Sequence, residues 1–122
     1  MTRLTLELLA VTVVTSGFAA EPEKQWRAVE GAQLQASFAG KELGDGTHYA
    51  YAFRHDGTFT GVEMGKDVRG TWKSTPRQLC WTWTKPRGSE ECYEVRRSGN
   101  DVRLFRNGYE TLSGTLRPAP AK

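Results

Sequence analysis

From His48 onward, apolar and polar residues alternate, and glycine-centred turns break the alternation roughly every ten residues. A period of two is what a strand with one buried face requires. The first such strand runs from His48 to Phe53 and places Tyr49, Tyr51 and Phe53 on one side. The turn His55-Asp56-Gly57 leads into a second strand from Thr58 to Glu63. A three-residue turn with Gly57 left-handed pairs Phe53 with Phe59 and gathers the aromatic rings together. A third strand, Val68 to Lys73, sets Val68, Gly70 and Trp72 on one face. Its glycine marks a bend or a close backbone approach, and Pro76 closes the exit.

The strongest hairpin joins Leu79–Thr84 to Cys92–Arg96 through Lys85–Ser89. If Cys80 faces Cys92, then Leu79, Trp81, Trp83, Tyr93 and Val95 share the apolar face, while Thr82, Thr84, Glu94 and Arg96 share the polar one. Ser98–Asp101 then turns the chain into Val102–Phe105, and Asn107-Gly108 turns it into Tyr109–Leu112. Ser113–Leu116 ends the ordered part, and residues 117–122, rich in proline and alanine, read as a flexible tail. Upstream, Trp26 to Lys41 has a helical look, with Leu34 and Phe38 four apart and Gly40 placed to stop it. The expected fold is mainly β: an antiparallel meander of about seven strands forming a small lipocalin-like barrel, with the helix over one end.

The start of the chain follows a different pattern. Arg3 precedes an apolar stretch through Leu8–Val14, and small residues follow at Ser16–Ala20, which is the order of a secretory signal. Glu7 interrupts the stretch, which is short of the roughly twenty apolar residues of a permanent span. Cleavage after Ala19 places Gly17 and Ala19 at the two positions that must be small, so residues 1–19 read as signal, 20–47 as a segment with the short helix, and 48–116 as the barrel. The mature chain, about one hundred residues, makes one periplasmic or secreted domain without a transmembrane segment. In an oxidising compartment, the only two cysteines, Cys80 and Cys92, default to a disulfide. That bridge sets the hairpin register and lies on its polar face.

Composition narrows the function classes. A formal charge of +3 fits weak contact with anionic surfaces and falls short of the clustered excess of a nucleic-acid binder. Asp45 precedes His48 and Asp56 follows His55, and a metal or acid–base site would need the two histidines to converge; turn chemistry accounts for both Asp-Gly pairs. No nucleophile elbow or phosphate cradle follows a strand, and Glu90 and Glu91 fall on a solvated turn. No catalytic residue, metal ligand or cofactor is therefore assigned. The aromatic set Trp72, Trp81, Trp83 and Tyr93, beside Tyr51 and Phe53, either fills the barrel or lines a ligand pocket, with Trp83 nearest a mouth. Arg96 and Arg103 oppose each other across the hairpin, a like-charge pair that Glu94 can neutralise or an acidic partner can meet.

The elements Gly57-Thr58, Gly70-Thr71-Trp72, Gln78–Trp81 and Glu91–Val95, after the Leu34–Gly40 helix, resemble a group of small uncharacterised exported proteobacterial proteins over residues 30–116. The Gly-Thr-Trp element also resembles lipocalin and bacterial protease-inhibitor barrels. The resemblance implies a compartment and a barrel. Together the residues suggest a non-enzymatic binding or inhibitor-type module, whose partner is a protein or a small apolar ligand held in an aromatic pocket. A cell-envelope or secreted enzyme of unknown class is the remaining alternative.

Overall fold

The computed structural model describes residues 23–121 continuously, with residues 2, 3, 5, 9–14 and 17 before them. The cleavage position after Ala19 lies outside the described residues. Among those residues the order is β1 (Arg27–Val29), α1 (Ala32–Phe38), β2 (Lys41–Gly44), β3 (Tyr49–Phe53), β4 (Thr58–Glu63), β5 (Lys66–Ser74), β6 (Leu79–Lys85), β7 (Arg87–Ser98), β8 (Asp101–Arg106) and β9 (Tyr109–Pro118).

Each strand from β2 to β9 pairs antiparallel with the next, and β9 returns to pair with β2. The result is a closed up-and-down barrel of eight strands, one more than the meander counted in the sequence. Closure leaves no free edge among them. The additional strand in the ring is β2, whose Leu43 faces Tyr51 on one side and Leu116 on the other.

The helix is shorter than the expected Trp26–Lys41. Arg27–Val29 instead pairs with Arg97, Arg96 and Val95, on the part of β7 that β6 does not reach. Gly31 then turns the chain at a φ of 62° and donates its N–H to Pro76, and only seven residues remain helical. Unpaired strand groups on β7 outweigh helix propensity here, because every buried backbone donor needs an acceptor. Leu34 and Phe38 are fully buried and plug the barrel end at which β6 begins and β7 finishes, while Gly40 ends the helix with a positive φ. The chain end expected to fray is paired through Pro118, and Ala119 donates to the Gly40 carbonyl.

The turns follow the sequence closely. Phe53 pairs with Phe59 around the left-handed Gly57, and Asn107-Gly108 has the two positive φ values of a tight hairpin. Gly70 is a close approach as well as a bulge: a Cβ there would lie 2.2 Å from the Thr82 carbonyl oxygen. Inside, Tyr51, Phe53, Phe59, Trp72 and Trp81 form a contiguous aromatic column, with ring centroids 5.0–6.1 Å apart.

Cys80 and Cys92 are directly opposed on β6 and β7 and form the disulfide, with Cα atoms 4.1 Å apart. Leu79, Trp81, Tyr93 and Val95 are buried on the opposite face, so the bridge lies outside the aromatic core, as the register requires. Cys80 is nevertheless inaccessible to solvent. Lys73 lies opposite it on β5 and reaches Glu90 at 3.2 Å, and the Glu90 carboxylate lies 3.7 Å from Cys92 Sγ. Glu90 is the carboxylate nearest the sulfurs, and both thiols are consumed by the bridge.

Candidate functional site at the barrel mouth

The end of the barrel away from α1 is open. The connection between β6 and β7 shrinks to Pro86, so β7 begins at Arg87 and carries Glu90 and Glu91 within the strand rather than on a solvated turn. Glu91 pairs with Trp81 and therefore shares its inward face. On β4, Glu63 has the same inward parity as Phe59 and Gly61. Two carboxylates thus rim a lumen whose floor is aromatic.

A cavity of about 310 Å³ opens here, and Tyr51, Trp81, Trp83, Tyr93 and Glu91 form its inner wall. Three of the four aromatic residues proposed from sequence meet in this wall. Trp72 does not: its indole donates to the Arg54 carbonyl at 2.8 Å, and its ring packs edge-on against Phe53, farther down the barrel. Trp83 is half-buried and sits at an irregularity between Thr82 and Thr84, where β6 and β7 slip in register. Its Nε1 donates to Glu91 Oε2 at 3.4 Å, and the Tyr93 hydroxyl donates to the same oxygen at 2.8 Å.

Burial pushes the Tyr51 hydroxyl well above its ordinary pKa, and the nearby Glu63 carboxylate adds to it. Burial and the hydrogen bond to Glu91 do the same for Tyr93, and burial with the Asp45 charge does so for Tyr49. Each of these hydroxyls is held neutral. Because the folded values are raised, the stability they support is intact below the ordinary tyrosine pKa of about 10 and is lost as pH rises above it, where the unfolded chain sheds protons the barrel retains. An alkaline titration followed at 295 nm should show three of the four tyrosines ionising together with loss of the strand circular dichroism signal. Full ionisation near pH 10 with an intact far-ultraviolet spectrum would contradict this buried network.

Among the described residues, one buried side-chain donor has no partner, and it belongs to a residue that lines this cavity. Trp81 is 3% exposed, and its Nε1–H meets no acceptor among the described residues. An unmade hydrogen bond at a buried donor costs about 1–3 kcal/mol, so such a group marks a place for a water or a ligand oxygen.

No protein family, curated protein or solved structure matches the chain. The site therefore rests on its own geometry.

The two histidines do not converge. His48 Nδ1 lies 2.7 Å from Asp45 Oδ2 at the start of β3, and His55 lies against Gly40 beyond its end. At about 3.3 Å per residue, the five residues of β3 alone separate them by roughly 16 Å. Asp45 accepts backbone N–H bonds from Thr47, His48 and Tyr49, which hold its carboxyl far below the usual carboxylate range.

Arg96 and Arg103 do face each other on the outer wall. Glu94 forms no ion pair with either among the described residues, and each guanidinium instead has a ring partner: Arg96 lies 4.9 Å above Phe105 and Arg103 lies 4.1 Å above Trp26. Arg103 also reaches Glu110 at 3.7 Å.

Proposed function

We propose that this protein is an exported, non-enzymatic binding barrel that holds a small, mainly apolar ligand in its open mouth, with a ligand oxygen accepting from Trp81. The observation that carries the reading is the orphan Nε1–H of Trp81, a residue that lines an aromatic cavity. Binding pockets combine such apolar walls with a few fixed polar groups. Export is supported by the signal-like order of residues 1–19 and by the Cys80–Cys92 disulfide, which persists in oxidising compartments. Among the described residues no helix is long and apolar enough to cross a membrane. Surface docking through Arg96 and Arg103 is the weaker reading, because both guanidinium groups already have ring partners.

The test compares two probes of closely similar shape, 2-acetylnaphthalene and 2-isopropenylnaphthalene, in which C=CH2 replaces C=O. The ketone should bind saturably, raise the melting temperature and move one of the four indole N–H resonances, that of Trp81, in ¹H–¹⁵N spectra. The hydrocarbon should bind about tenfold more weakly, since it leaves the donor unpaired. Trp83→Leu should weaken both. If neither probe shifts any indole resonance or the melting temperature, the mouth is not a ligand site.

A further inference from the structure

A second cleft, of about 480 Å³, lies at the opposite end of the barrel, between α1 and the ends of β2, β7 and β9. Its polar wall consists of Gln33, Ser37, Lys41, Arg97, Asn100 and Arg117, and no carboxylate is among the lining residues. Three separate strands, β2, β7 and β9, each supply one cation, Lys41, Arg97 and Arg117. Arg117 is already offset: its Nε donates to Glu42 Oε1 at 2.7 Å, and Glu42 is its direct cross-strand partner.

Lys41 and Arg97 are different. Both are half-buried, and neither meets a carboxylate among the described residues. Arg97 is held in place by two neutral acceptors, with its Nε donating to the Gly99 carbonyl at 2.6 Å and its Nη1 to Ser37 Oγ at 3.0 Å. Those bonds fix the plane of the guanidinium and leave other N–H groups and the whole charge unspent. The neighbouring acid, Asp101, is taken by Lys24 at 2.6 Å and by Thr115. Partly burying two cations without counter-charge is unfavourable, and an anion seated between them removes that cost.

We propose that this cleft binds a phosphate dianion, presented as free phosphate or as a phosphomonoester. Two unmatched positive charges select a group carrying about −1.5 to −2 at neutral pH over a monoanionic carboxylate or phosphodiester. The amides of Gln33 and Asn100 add neutral donors at the rim. The site is independent of the mouth and of any ligand held there.

Isothermal calorimetry on the full mature chain at pH 7.5 and low ionic strength, where screening is least, tests the assignment with three probes. Inorganic phosphate or methyl phosphate, or both, should bind saturably, and dimethyl phosphate, a monoanion of similar shape, about tenfold or more weakly. Binding by inorganic phosphate alone identifies the free ion, whereas retained binding of methyl phosphate identifies a monoester. Lys41→Gln and Arg97→Gln should each lower affinity about tenfold, while Arg96→Gln on the outer wall leaves it unchanged. Lys41→Gln carries the test if loss of the Ser37 contact unfolds the Arg97 variant. The proposal is overturned by equal binding of dimethyl phosphate, by undiminished binding in the folded cleft variants, or by no heat from any probe.

Discussion

Replacing Phe59 with alanine is expected to destabilise the barrel by about 3–5 kcal/mol, the largest effect of any single side-chain truncation. Phe59 is fully buried on β4, and its ring touches those of Tyr51, Phe53, Trp81 and Trp83, stacking on Trp81 at an interplanar angle of 13°. It is the ring on which the two halves of the aromatic column meet. Truncation leaves a void bounded by large rigid rings, which collapse poorly around it. For a domain of about one hundred residues, this corresponds to a fall in melting temperature of roughly 15–30 °C. Phe105→Ala supplies the contrast, because Phe105 is half-buried on the outer wall beneath Arg96, and its loss should cost about 1 kcal/mol or less. Equal melting temperatures for the two variants would show that the column is not the core.

The disulfide carries the second large effect. Cys80 and Cys92 are separated by 12 positions, and closing a loop of that length removes about 3 kcal/mol of chain entropy from the unfolded state. The double replacement Cys80→Ala/Cys92→Ala should therefore lower stability by about that amount in urea titrations. Fast reduction of the wild type should reach the same midpoint. The double change avoids leaving a lone thiol at either position. Because the pairing of β6 and β7 does not depend on the bridge for its hydrogen bonds, the far-ultraviolet spectrum of the folded variant should match that of the parent. A variant as stable as the parent would mean that the unfolded chain already holds the two strands together.

The barrel was legible where local pattern decides structure. Tight turns at Gly57 and Asn107-Gly108, alternation on β3 to β6 and the cysteine register all act over a few residues, and each is where the sequence places it. The difficulties arise where a distant partner decides. Lys41–Gly44 has one apolar inward residue and a charged Glu42, so it does not look like a strand. It becomes one because Arg117, far along the chain, pairs with that glutamate and β9 supplies the ladder. Arg27–Val29 likewise takes its conformation from the unpaired end of β7.

The mouth was half-visible. Trp81, Trp83 and Tyr93 follow from alternation, and the same parity extended two residues back from Tyr93 places Glu91 inside, but the glutamate pair suggested a loop. Nothing local marks the Trp81 donor as unpaired, since that depends on what surrounds it in three dimensions.

The β2–β9 pairing that closes the ring has a consequence for the timing of assembly. Lys41 cannot meet Pro118 until nearly the whole chain is available, so the sheet stays open while the chain is being made. Until β9 is present the other seven strands of the ring form an open antiparallel ribbon, and ring closure waits on that strand. The eight-stranded wall is then set by its two most distant strands rather than by any one hairpin.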